Sequence, residues 1–63
     1  MARRSITKDA FRIGFQHGEM TGQHVSPREV SNWSPGWDAA EIEAYLNGRD
    51  DGVAGDRTRI DRM

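Results

Sequence analysis

Apolar residues and glycines together mark the inner stripe of this chain. Phe11, Gly14, Phe15, Gly18 and Gly22 recur at spacings of three and four residues, the period of one helix face. The stripe predicts a helix over residues 7–21. Thr7 supplies a cap, Asp9 sits in the first turn where the helix dipole favours an acid, and Gly22 provides the stop. A second stripe, Ile42, Tyr45, Leu46, Arg49 and Val53, predicts a helix over residues 38–54. It opens on Asp38-Ala39-Ala40-Glu41, a capping box with a carboxylate in the hydroxyl's place. Between them, Ser26-Pro27-Arg28-Glu29 reads as a third start, good for one or two turns near 27–32 before Ser34-Pro35-Gly36 ends it. No stretch alternates with period two, so no strand is expected and the fold class is all-α.

The two long stripes are copies of each other. The segment from Ala10 to Gly22 can be laid on the segment from Ala44 to Asp56 at an offset of 34 residues. The overlay pairs Phe11 with Tyr45, Gly14 with Gly48, Phe15 with Arg49 and Gly18 with Gly52. Two copies are too few for a solenoid, so the expected architecture is a small two-helix hairpin with glycine-rich helix contacts. Each glycine inside a helix costs roughly 0.5–1 kcal/mol relative to alanine. Close approach justifies that cost, either of the other helix or of an outside partner. The domain reading is a basic arm at 1–6, one helical unit at 7–56 and a flexible tail at 57–63. Trp33 and Trp37 flank the Ser34-Pro35-Gly36 linker. They are expected to fold back over the helix pair and supply bulk that the glycines withhold, the alternative being an exposed aromatic platform.

Composition narrows the options. With 63 residues and no cysteine, neither disulfides nor thiolate metal sites can staple the chain. A core this small rarely supplies more than ~3–5 kcal/mol, so part of its stability is expected to come from a partner. No apolar run reaches membrane-span length and no signal-peptide pattern opens the chain, which points to the cytoplasm. The formal net charge of −1 hides opposed segments. Arg3, Arg4, Lys8 and Arg12 against Asp9 make residues 1–12 net +3, while residues 13–37 are net −1. Residues 38–56, with six acids against Arg49, are net −5, and the tail with Arg57, Arg59 and Arg62 is net +2.

Enzyme chemistry finds little footing. Gly18-Glu19-Met20-Thr21-Gly22 lacks the lysine and hydroxyl pair of a phosphate loop. His17 and His24 are seven residues apart and read as surface histidines, not as a metal site. Asp50 and Asp51 with Asp56 do not fit a calcium loop. No catalytic residue, metal or cofactor is expected.

The run Ala10-Phe11-x-x-Gly14-Phe15-x-x-Gly18-x-x-x-Gly22, with Tyr45-x-x-Gly48-Arg49-x-x-Gly52 after it, resembles the ribosome modulation factor family over roughly residues 10–55. Family members carry Cys-Pro-aromatic where this chain has Ser26-Pro27-Arg28, and tryptophan where it has Tyr45 and Arg49. The resemblance implies a cytoplasmic two-helix protein of the stress response. It would bind rRNA and ribosomal protein on the small subunit and silence translation by pairing ribosomes into inactive dimers. It implies structural roles for Phe11, Gly14, Gly22, Pro27, Gly48 and Gly52. The expected RNA- or partner-binding residues are Arg3, Arg4, Lys8, Arg12, Phe15, Gly18, Tyr45 and Arg49. An alternative is an acidic phage- or plasmid-type module that inhibits a basic host protein, such as a nucleic-acid enzyme, through Asp38, Glu41, Glu43, Asp50 and Asp51. A second copy of the chain is a further candidate partner. Relatives on plasmids and mobile elements are linked to ciprofloxacin modification with ATP, which leaves that activity as a second alternative.

Overall fold

The computed structural model describes the backbone of residues 2–62 and the side chains of residues 7–62. Four helices follow one another: α1 (Ala2–Thr21), α2 (Pro27–Trp33), α3 (Ala39–Ala54) and α4 (Thr58–Asp61). The described residues contain no strand, so the fold is all-α, with α1 and α3 packed together as its body. Helix α1 starts at Ala2, five residues before the expected cap, and Thr7 lies inside it. Alanine and arginine at positions 2–4 favour helix, and no breaker separates them from Thr7.

The internal starts obey the capping signals. Ser26 accepts from the Glu29 amide at 3.3 Å while Glu29 reaches back to the Ser26 amide, and Pro27 takes the first helical position. Asp38 accepts from the Glu41 amide at 3.0 Å and Glu41 returns the bond to the Asp38 amide at 2.8 Å. Helix α1 stops where Gly22 turns left-handed at φ +66°. Helix α3 stops at Gly55, φ +72°, where the Asp56 amide donates back to the Asp51 carbonyl at 2.9 Å.

The four remaining helical glycines explain how α1 and α3 meet. A Cβ on Gly14 would overlap the carbonyl oxygen of Tyr45, and one on Gly48 would overlap that of Phe11. A Cβ on Gly18 would strike the Arg49 carbonyl, and one on Gly52 the Phe15 carbonyl. The backbones therefore touch, and the contacts ascend together along both helices, so α1 and α3 run parallel. The contacts are also reciprocal across the repeat. Gly14 meets the repeat mate of Phe11, and Gly48 meets Phe11 itself. This is the isologous pattern of a two-fold dimer, here built within one chain. The segment 22–38, which carries α2, returns the chain to the start of the second copy.

Side chains close the two flanks of this contact. Ala10, Val30 and Tyr45 form the buried cluster, with Val25, Trp37, Ile42, Ala44 and Leu46 packed around it. Phe11 and Phe15 are buried on the other flank. Residues 57–63, expected as a flexible tail, include α4. From that stretch Arg59 lies over the Phe11 ring at 5.4 Å and Arg57 over the Phe15 ring at 5.3 Å. Both rings thus receive a cationic cover, and Asp51 fixes one cover by a two-pronged pair with Arg59 at 2.8 and 2.9 Å. Of the two tryptophans, Trp37 folds back as expected, its ring 5.7 Å from that of Tyr45. Trp33 does not, and is 55% exposed.

Candidate functional site

Arg49 stands on the buried stripe of α3, yet it is an arginine and only 5% exposed. Its position in the repeat is that of Phe15, so the parallel packing places it inside whatever its chemistry. Three neutral acceptors surround it. Nε donates to the Gln23 carbonyl at 2.7 Å, Nη1 to the Tyr45 hydroxyl at 2.8 Å and Nη2 to the Thr21 hydroxyl at 3.0 Å. Helix α1 supplies Thr21, and the turn after the Gly22 stop supplies Gln23, so that stop delivers both acceptors. The Tyr45 hydroxyl oxygen accepts from the arginine, and the same hydroxyl is hydrogen-bonded to His17 Nδ1 at 2.6 Å. The His17 ring meets the Tyr45 ring edge-on, at 5.6 Å and 73°. Trp33 completes the group, its ring centroid 5.9 Å from the guanidinium carbon of Arg49.

Five of the six acidic residues in 38–56 turn out to be occupied. Asp38 and Glu41 cap α3, Asp51 holds Arg59, and Asp50 meets His24 Nδ1 at 2.7 Å. Asp56 accepts from the Thr58 amide at 3.0 Å, and bonds from Thr58 hold its carboxyl below the usual carboxylate range. Glu41 and Asp51 are buried. The acidic surface expected from Asp38, Glu41, Glu43, Asp50 and Asp51 is therefore not one open face, because helix capping and tail docking consume most of it. Glu43 is exposed, on the rim of an apolar groove of about 420 Å³ lined by Pro27, Ala39, Ile42 and Leu46.

The expected contact residues separate into two groups. Lys8 and Arg12 are exposed one turn apart on α1, with Asp9 between them in sequence, and neither has an ion pair among the described residues. The side chains of Arg3 and Arg4 lie outside the described residues. Phe15, Gly18, Tyr45 and Arg49 are buried. They build the helix pair and are not surface contacts, because the glycines bring the two backbones too close to leave a ridge between them. Phe11, Gly14, Gly48 and Gly52 sit in the same contact, whereas Gly22 and Pro27 are exposed at a helix stop and a helix start. His17 and His24 serve different partners, and among the described residues no three His, Cys, Asp or Glu side chains converge as metal ligands. The sequence reading missed the Arg49 network and the docking of Arg57 and Arg59. Its one available signal was an arginine on an otherwise apolar stripe.

No family model matches the chain, and neither a curated protein nor a solved structure matches it significantly. No described helix is long and apolar enough to cross a membrane.

Proposed function

We propose that this chain is a small non-enzymatic binding protein of the cytoplasm that associates with the small ribosomal subunit and silences translation, as its resemblance to the ribosome modulation factor family implies. The observation that supports this reading is how the charge is disposed. The net −5 of residues 38–56 would repel an rRNA backbone if it formed one open face. Five of its six carboxylates are instead engaged in caps, a histidine contact and tail docking, and Glu43 alone of the six is left open. Lys8, Arg12, Arg28 and Arg62 remain exposed with no ion pair among the described residues. Among the described residues, these four are cations free to meet phosphate. Sucrose-gradient co-sedimentation of the tagged chain with ribosomes, at low and moderate salt, tests the reading. Recovery in the small-subunit fractions, weakened by Lys8→Glu with Arg12→Glu, is the expected result. Absence from ribosomal fractions at both salts overturns it.

A second reading has one observation in its favour. The apolar groove beside Glu43 suits a partner segment that sets an apolar side chain next to a basic one. This is the acidic-module alternative reduced to a single carboxylate. A pull-down that recovers one basic protein, and loses it on Glu43→Lys, would favour it over the ribosome.

A further inference from the structure

Among the described residues, the charge of Arg49 has no anion within ion-pair distance. All three of its acceptors are neutral, and among the described residues it forms no ion pair. Buried cations are ordinarily matched by an anion, because low-dielectric surroundings penalise an isolated charge. The group stacked on this cation is itself exceptional. Trp33 keeps 55% of its surface exposed while one side of its ring faces the guanidinium. Only four residues on, Trp37 is half-buried against Tyr45, so the linker can pack an indole on the core and does so once. An open indole face above an unneutralised cation suits a flat π-system that carries negative charge close by. An unpaired nucleotide has both parts: a base to stack on the outer side of the ring and a charged backbone, which feels the cation across the ring without touching it, since Arg49 itself is only 5% exposed. Arg28, exposed on the same short helix as Trp33, is a second cation for the backbone. A base in a duplex is stacked on both sides and offers no such face.

We propose that Trp33, backed by the buried guanidinium of Arg49, is a stacking platform for an unpaired base of single-stranded RNA. The inference rests on the RNA-binding reading above and adds to it a contact on the linker side of the fold, apart from the phosphate contacts of Lys8 and Arg12.

The test uses the full chain with oligouridylate, whose bases are weakly stacked, and with the duplex that it forms with oligoadenylate. In a Trp37→Phe background, which keeps a ring against Tyr45, Trp33 is the single emitting indole. The expected result is saturable quenching of that emission by oligouridylate and none by the duplex. Trp33→Ala should weaken binding of labelled oligouridylate by about 5- to 150-fold, the worth of one base–aromatic stack, and Trp33→Phe should keep most of the affinity. Both variants alter an exposed ring, and far-ultraviolet circular dichroism verifies that they fold. Oligouridylate binding without quenching, at an affinity that Trp33→Ala leaves unchanged, overturns the platform, as does failure to bind oligouridylate at all. Ribosome co-sedimentation separates the two proposals. A chain that sediments with ribosomes but shows no quenching loses the platform alone. A chain that is quenched by oligouridylate but never sediments with ribosomes keeps the platform and loses the ribosome.

Discussion

Phe15 and Arg49 hold the same place in two copies of one motif, and both are buried. Each is one residue past a glycine that touches the facing backbone, so the parallel contact treats them alike. Their surroundings reverse each other. On the first flank the ring is inside and an arginine, Arg57, lies over it from the tail. On the second flank the arginine is inside and a ring, Trp33, lies over it from the linker. The glycine contact decides position and burial, and leaves the chemistry of each flank free. One flank has become an apolar core with a cationic cover. The other has become a hydrogen-bonded cation with an exposed aromatic cover. The repeat thus accounts for the fold, and its departure from symmetry accounts for the candidate site.

The largest effect should come from attacking what the flanks share. Gly14→Ala and Gly48→Ala each drive a methyl into a backbone carbonyl that cannot swing aside. Forcing the helices apart should cost about 3 kcal/mol or more, near the whole stability of a chain this small. Thermal unfolding followed by circular dichroism should lose its cooperative step in both variants. Equal damage at the two sites sharpens the symmetry, and tolerance at one of them breaks it. Gly36→Ala is the control: nothing lies within 4 Å of its added carbon, so that variant should melt like the parent or slightly higher.

Next come the two equivalent residues. Phe15→Ala should cost about 3–5 kcal/mol through lost burial and a cavity against the other helix. Arg49→Met should cost less, about 1–2 kcal/mol. It gives up three hydrogen bonds, but it also removes a buried charge and keeps similar bulk. Urea denaturation of both variants measures the difference. If Arg49→Met proves as damaging as Phe15→Ala, the cation is a structural keystone and the flanks are less different than their chemistry suggests.

The sequence disclosed what depends on period and caps. Ser26-Pro27-x-Glu29 and Asp38-x-x-Glu41 form the two internal starts where they were expected, and Gly22 is a stop. The repeat announced two similar helices with close backbones. It did not announce that they run parallel, because an offset in sequence carries no direction in space. The acidic excess was visible as a sum but not as a set of partners. Asp51 faces Arg59 only because Gly55 turns the chain back, and His24 reaches Asp50 across 26 residues. Trp33 and Trp37 look alike in sequence, four residues apart with a proline between them. Their difference in exposure is made by the tertiary fold, where Trp37 finds Tyr45 and Trp33 finds a guanidinium. Arg49 was legible as a residue of the buried stripe and illegible as a network, since its acceptors come from α1 and the turn beyond it.

A smaller and local effect should follow from uncoupling the tail cover. Asp51→Asn weakens the hold on Arg59 and with it the docking of α4 over Phe11. The two glycine pairs are untouched. Hydrogen exchange should show lost protection at the α4 amides and unchanged protection in α1 and α3. Protection lost throughout would mean that the tail is part of the core and not a cover on one flank.

The smallest effect is a difference between the flanks in acid. Asp56 lies below its ordinary value of 3.8 because the Thr58 amide and hydroxyl bond its carboxylate. A carboxyl with a depressed value in the folded state contributes stability that is complete above 3.8 and is lost as the pH falls through the folded value. Protection of the Thr58 amide should therefore hold down to about pH 4 and decline below it, and Asp56→Asn should remove that decline. The bonds around Arg49 run to a carbonyl, a phenol and a hydroxyl, so acid finds no carboxylate to protonate among them. If the Gln23 turn and α4 lost protection together over the same pH range, the two covers would be linked through the helix pair. Loss at α4 alone would show that each flank keeps its cover independently, as the broken symmetry implies.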